Sequence, residues 1–164
     1  MFQIQSSIKI LFLSGLFAAA HVFLPSTASA DEKYASIVID AETDEVLHAR
    51  FADDRRYPAS LTKVMTLYML FDAIKAGDIS ISERLKVSRQ ADRQPPSALG
   101  IRAGKSILVE DAIYALTTKS ANDVAVVIAE RIAGSEDRFA TLMTVKARSL
   151  GLSNTSFYLS LIHI

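Results

Sequence analysis

The sequence predicts an α+β fold, and three observations carry that expectation. Two candidate strands, 34–40 with a β-branched, apolar centre and 45–51, flank a four-residue turn. A series of helical segments then follows from residue 60 to residue 150. The helix boundaries are marked, with glycine at positions 77, 134 and 151 and serine at 120 and 135. A hairpin followed by a run of helices is the order expected of an α+β domain.

The chain has 164 residues, enough for one domain or part of one, and half of them are apolar. The formal net charge is zero, without a basic stretch, so nucleic-acid binding has no support. There is no cysteine, which excludes a disulfide framework, a thiol nucleophile and a cysteine-bound metal. The three histidines, at 21, 48 and 163, lack zinc-site spacing. No metal or cofactor is expected.

Residues 1–30 read as a secretory signal peptide. Lys9 supplies the positive charge, Ile10 to Leu24 is mostly apolar, and Ala28-Ser29-Ala30 fits a small-x-small cleavage site. The competing reading is an anchoring helix. The run is shorter than the ~20 residues that span a bilayer, and Pro25 breaks its end. Cleavage before Asp31 would place the mature chain outside the cytoplasm, in the periplasm or cell envelope.

Tyr34 to Asp40 and Glu45 to Phe51 are the candidate strands, with Ala41-Glu42-Thr43-Asp44 as their turn. Asp53 to Pro58 is a polar loop that delivers the chain to Ser60. The segment from Ser60 to about Ala76 is apolar nearly all round, which predicts a helix buried in a larger core, stopped by Gly77. Ile79 to Val87 alternates weakly and predicts a short strand. Gln94-Pro95-Pro96-Ser97 and Gly100 to Lys105 read as turns. The second of these misses the phosphate-loop spacing by one residue, which argues against nucleotide binding. Helices are predicted over Val109–Thr117, Ala121–Ala133 and Glu136–Leu150. Their expected inward residues include Val124, Val127, Ile128 and Ile132 in the second, and Phe139, Leu142, Met143 and Leu150 in the third.

Two short motifs carry chemistry. Ser60-Leu61-Thr62-Lys63 places a hydroxyl and an amine three residues apart, on one face of a helix start. Ser60 could attack a carbonyl there. Lys63, deprotonated by burial and a cationic neighbour, could take its proton. The pair alone is a common pattern: Ser6 and Lys9 repeat it inside the leader. The second motif is Ser120-Ala121-Asn122, in the link between two helices. One reading makes Ser120 a helix N-cap with Asp123 completing a capping box. The other brings Ser120 and Asn122 to the same cleft as Ser60, as a proton relay and a substrate-binding amide.

Together these residues resemble the penicillin-recognising serine peptidases, whose signature is Ser-x-x-Lys, Ser-x-Asn and Lys-Thr-Gly. Tyr57-Pro58-Ala59-Ser60-Leu61-Thr62-Lys63-Val64-Met65-Thr66 is similar to the low-molecular-mass D-alanyl-D-alanine carboxypeptidases. So are Val38 to Thr43 before it and Lys146 to Phe157 after it. The resemblance covers about residues 34–158. It implies a β-lactamase/transpeptidase-like fold, a helical cluster packed with an antiparallel sheet. It implies Ser60 as the acylated nucleophile, Lys63 as its base, Ser120 as the proton donor to the departing D-alanine and Asn122 as a substrate-binding residue. Its substrates would be peptidoglycan stem peptides ending in D-Ala-D-Ala, with β-lactams as covalent inhibitors. A D,D-endopeptidase, a class A β-lactamase and a non-catalytic envelope-binding domain remain alternatives. The β-lactamase normally has Asp where this chain has Ala121.

Lys-Thr-Gly does not occur in the 164 residues. Residues 159–164, Leu-Ser-Leu-Ile-His-Ile, match the translation of a transposon-end adapter used in sequencing libraries. The expectation is that residues 31–158 are the N-terminal part of the catalytic domain, that 159–164 are not native, and that the chain alone is inactive. The family also has members with a C-terminal membrane-binding region, which would lie outside these residues. A short non-catalytic homologue is the competing reading.

Overall fold

The structure is a computed structural model, and it describes residues 34–160. The expected signal peptide and residues 161–164 lie outside the described residues. The strand order begins with β1 (Ser36–Ile39) and β2 (Val46–Arg50), an antiparallel hairpin. Its turn is built by Asp40, whose Oδ1 accepts the backbone N–H groups of Glu42 at 2.9 Å and Thr43 at 2.8 Å. Those bonds hold the Asp40 carboxyl below its usual range. Asp44 completes the reversal in the left-handed region, φ 59°. The register, Ser36 opposite Arg50 and Val38 opposite His48, shifts between Val38 and Ile39.

Next come α1 (Thr62–Ala76), β3 (Arg84–Lys86), α2 (Arg89–Asp92), β4 (Ser106–Leu108), α3 (Val109–Lys119), α4 (Asn122–Ala133) and α5 (Glu136–Ser149). The expected strand in 79–87 is β3. It pairs antiparallel with β4, which sequence periodicity did not predict. Leu85 and Ile107 sit opposite one another and are both buried. The short helix α2 was also not predicted. It is capped by Ser88, whose Oγ accepts the Ala91 N–H at 3.0 Å.

The expected ends of the longer helices are in place for physical reasons. Gly77 and Gly134 close α1 and α4 in the left-handed conformation, at φ 82° and 79°, where a side chain would be strained. Ser135 opens α5 by accepting the Arg138 N–H at 3.3 Å.

The core differs from the sequence expectation in one respect. The helix buried on all sides is α4, not α1. Asn122 to Ala129 are all buried, with α1, α2, α3, α5 and β3 packed around them. Small and β-branched side chains, Val124-Ala125-Val126-Val127, let the neighbours approach closely. In α1 only the face of Thr62, Lys63, Met65, Thr66, Met69 and Leu70 is buried. Leu61, Val64, Tyr68 and Phe71 are exposed despite their apolarity. In α5 the inward stripe is Phe139, Ala140, Met143 and Ala147; the expected Leu142 and Leu150 are exposed. The i, i+4, i+8 spacing of 139, 143 and 147 outweighs side-chain size there.

After α5, Thr144 holds the returning chain. Its Oγ1 accepts the Phe157 N–H at 2.8 Å. Of the segment 159–164, only Leu159 and Ser160 are described. Ser160 is fully buried, with its Oγ donating to Glu136 Oε1 at 2.9 Å and its carbonyl accepting from Thr66 Oγ1 at 2.7 Å. Among the described residues, no helix is long and apolar enough to cross a membrane.

Candidate active site

Ser60 does not lie inside the α-helix, as the sequence suggested, but in a tighter turn that leads into it. Leu61, Thr62, Lys63 and Val64 each donate their backbone N–H to the carbonyl three residues earlier, at 3.0–3.1 Å. Ala59, just before Ser60, is left-handed at φ 49°. A non-glycine residue pays for that conformation, and such cost is tolerated where surrounding structure fixes it. The turn leaves Ser60 and Leu61 exposed, while Thr62 and Lys63 beyond them are buried.

Lys63 is 3% exposed. Its Nζ lies 3.5 Å from Ser60 Oγ and 3.1 Å from Ser120 Oγ. Among the described residues no carboxylate forms an ion pair with it. Burial removes water from the ammonium without a counter-charge to replace it, so the pKa falls below the ordinary lysine value. An amine held between two hydroxyls, and easier to deprotonate than usual, can accept a proton from one and return it to the other.

Ser120 comes from a different element, 57 residues on. It ends α3 in the left-handed region, φ 55°, and Ala121 rather than Ser120 is the N-cap of α4. Its hydroxyl makes no cap bond, so the capping-box reading is corrected: the side chain turns to Lys63. Ser60, Lys63 and Ser120 line one open cleft of about 450 Å³, with Leu61, Val64 and Thr117 among its walls.

Asn122 does not line that cleft. It is fully buried at the start of α4, and its Nδ2 donates to the Pro95 carbonyl at 2.9 Å. Its Oδ1 has no hydrogen-bond partner among the described residues, and neither has Thr62 Oγ1. Asp123, read from sequence as half of a capping box, instead accepts the N–H groups of Leu99 at 3.0 Å and Gly100 at 2.9 Å. The involvement of residues 95–100 had no signal in spacing or periodicity, because the bonds bridge more than twenty residues. No cluster of metal-ligating side chains occurs among the described residues.

The model of one protein family, described as D-alanyl-D-alanine carboxypeptidase, matches residues 24–160. The chain belongs to the D-alanyl-D-alanine carboxypeptidase family. Family members are similar along most of it. D-alanyl-D-alanine carboxypeptidase DacF of Bacillus subtilis is 34% identical over 128 residues, 78% of this chain and 33% of the relative. The crystal structure of the carboxypeptidase DacD of Francisella tularensis superposes with a TM-score of 0.75 at 31% identity, covering 81% of this chain and 32% of that one. Penicillin-binding protein D2 of Listeria monocytogenes, solved with cefotaxime bound, gives a TM-score of 0.66 at 30% identity over 79% of this chain and 53% of that one. The fold is that of the penicillin-binding carboxypeptidases over the matched region. The chain spans about a third of the length of the curated relatives it matches.

Proposed function

We propose that residues 31–158 are the N-terminal part of the catalytic domain of a serine-type D-Ala-D-Ala carboxypeptidase of the bacterial envelope. The enzyme would remove the terminal D-alanine from peptidoglycan stem peptides through an acyl-serine. One observation carries the reading: buried Lys63, without an ion-pair partner among the described residues, stands within hydrogen-bond reach of two hydroxyls from two separate elements.

The chemistry follows from that placement. Neutral Lys63 Nζ takes the Ser60 Oγ proton as Oγ attacks the carbonyl carbon of the penultimate residue. Collapse of the tetrahedral adduct breaks the bond to the terminal D-alanine. Ser120 Oγ gives its proton to the leaving amine and is reprotonated by the Lys63 ammonium beside it. Water then hydrolyses the acyl-serine. The Ser60 backbone N–H would supply one oxyanion donor, and Asn122 would hold the substrate backbone. Asn122 needs a change of partner to do so, since its Nδ2 is engaged with Pro95. β-Lactams would acylate Ser60 as substrate mimics. Residues 1–30 would direct export. The Lys-Thr-Gly element would be supplied by sequence outside this chain.

The test uses the protein expressed from its natural reading frame. It is incubated with a monomeric stem pentapeptide and, separately, with a cross-linked dimer. Free D-alanine from the monomer is the expected result. Cleavage of the dimer alone would assign an endopeptidase. A folded protein that attacks neither would be a binding domain.

A further inference from the structure

The left-handed corner at Ser120 is bracketed by a single residue of a distant loop. Ser97 Oγ donates to the Lys119 carbonyl at 2.7 Å, and the Ser97 carbonyl accepts the Asn122 N–H at 2.7 Å. Two residues earlier, the Pro95 carbonyl takes Asn122 Nδ2. The loop thus grips the chain one residue before and two residues after Ser120. What holds the loop is Asp123. The residue is 2% exposed, and its carboxylate accepts the N–H groups of Leu99 and Gly100 through separate oxygens, with Ile101 N at 3.5 Å. Its Oδ1 also accepts the Val124 N–H at 2.9 Å. A carboxylate, with acceptors only, is the side chain that suits three or four converging N–H groups.

We propose that Asp123 is a positioning residue for Ser120: by clamping residues 95–101, it keeps the α3–α4 corner left-handed and the Ser120 hydroxyl on Lys63. The inference rests on the acyl-transfer reading for its effect on rate, but not for its effect on geometry. Ser120 pays conformational strain to hold φ 55°, and a strained residue persists only where its surroundings over-determine it. Here Ser97 is that surrounding, and Asp123 holds the same loop two residues further on, at Leu99 and Gly100. Losing the clamp lets the corner relax and carries the hydroxyl away from Lys63, 3.1 Å distant.

Two variants test this in the protein expressed from its natural reading frame. Asp123→Asn keeps the shape and sets an amide donor against a backbone N–H. Ser97→Ala deletes one exposed hydroxyl. Crystal structures report the Ser120 conformation, and stopped-flow kinetics with a fluorescent penicillin separate the acylation rate constant from the non-covalent dissociation constant. For Asp123→Asn the acylation constant should fall on the order of 10²-fold, as expected for a displaced catalytic group, with non-covalent binding unchanged. For Ser97→Ala the fall should be about tenfold, the equivalent of one hydrogen bond. In both, Ser120 should leave the left-handed region. A folded variant with Ser120 unmoved overturns the proposal whatever its rate, as does a moved Ser120 with an unchanged acylation constant. Should Asp123→Asn fail to fold, Ser97→Ala decides alone. If the unsubstituted protein is not acylated at all, the acyl-transfer reading fails, and the Ser120 conformation in the variants settles the positioning on its own.

Discussion

At the scale of single residues, Lys63 sets the pH behaviour. Its neutral form is the base, so acylation should rise with pH through the Lys63 pKa, which lies below the ordinary lysine value of 10.5. The same shift bears on stability. The unfolded chain holds this proton more tightly than the folded one, so the buried ammonium costs stability below the folded pKa. That cost shrinks as pH rises and vanishes above the unfolded value. Lys63→Met, of similar volume, should therefore melt higher than the parent at neutral pH, lose the advantage in strong alkali and lose acylation at every pH. Differential scanning calorimetry across pH checks the first part. A variant that melts lower at neutral pH would mean that the two hydroxyl bonds outweigh the burial cost.

That Ser60, Lys63 and Ser120 meet was legible in the sequence from the three-residue spacing of the first pair and the order of the two motifs. The environment of Asn122 was not. Its amide is taken up by Pro95, and its neighbour Asp123 serves a loop rather than a helix end. Both are long-range consequences of packing that a local capping pattern imitates.

At the scale of elements, the hairpin and four long helices were legible from composition and end signals. The misses have physical causes. Four-residue α2 and three-residue β4 are shorter than two hydrophobic periods, so no repeat could declare them. The exposed apolar face of α1 is the more informative departure. Leu61, Val64, Tyr68 and Phe71 are between 42% and 69% exposed, and the hairpin also exposes Ile37, Val38, Ile39, Val46 and Leu47. Among the described residues, β1 and β2 pair only with each other. Exposed apolar surface and an unpaired strand edge favour association. The 164-residue chain expressed by itself should bind a hydrophobic dye and sediment as aggregates. Replacing Val64 and Phe71 together with Gln should reduce both. A monodisperse parent chain that leaves the dye dark would show that these faces are covered.

At the scale of the molecule, α4 organises the fold and the site together. Its buried body ties the other helices into one core, and its N-terminal corner supplies Ser120 to the turn that α1 supplies for Ser60. The family was readable from ordered motifs. The centre of the core was not, because apolarity pointed to α1, whose exposed face is as apolar as its buried one, rather than to α4. The proposed chemistry requires Ser60 to be the nucleophile, and one measurement addresses that directly. The protein expressed from its natural reading frame is treated with a labelled penicillin, digested with trypsin and mapped by mass spectrometry. Cleavage after Arg56 and Lys63 releases residues 57–63, in which Ser60 is the only serine. The adduct is expected on that peptide and should disappear in Ser60→Ala. An adduct on residues 120–131, or a cooperatively folded protein that carries none, would contradict it.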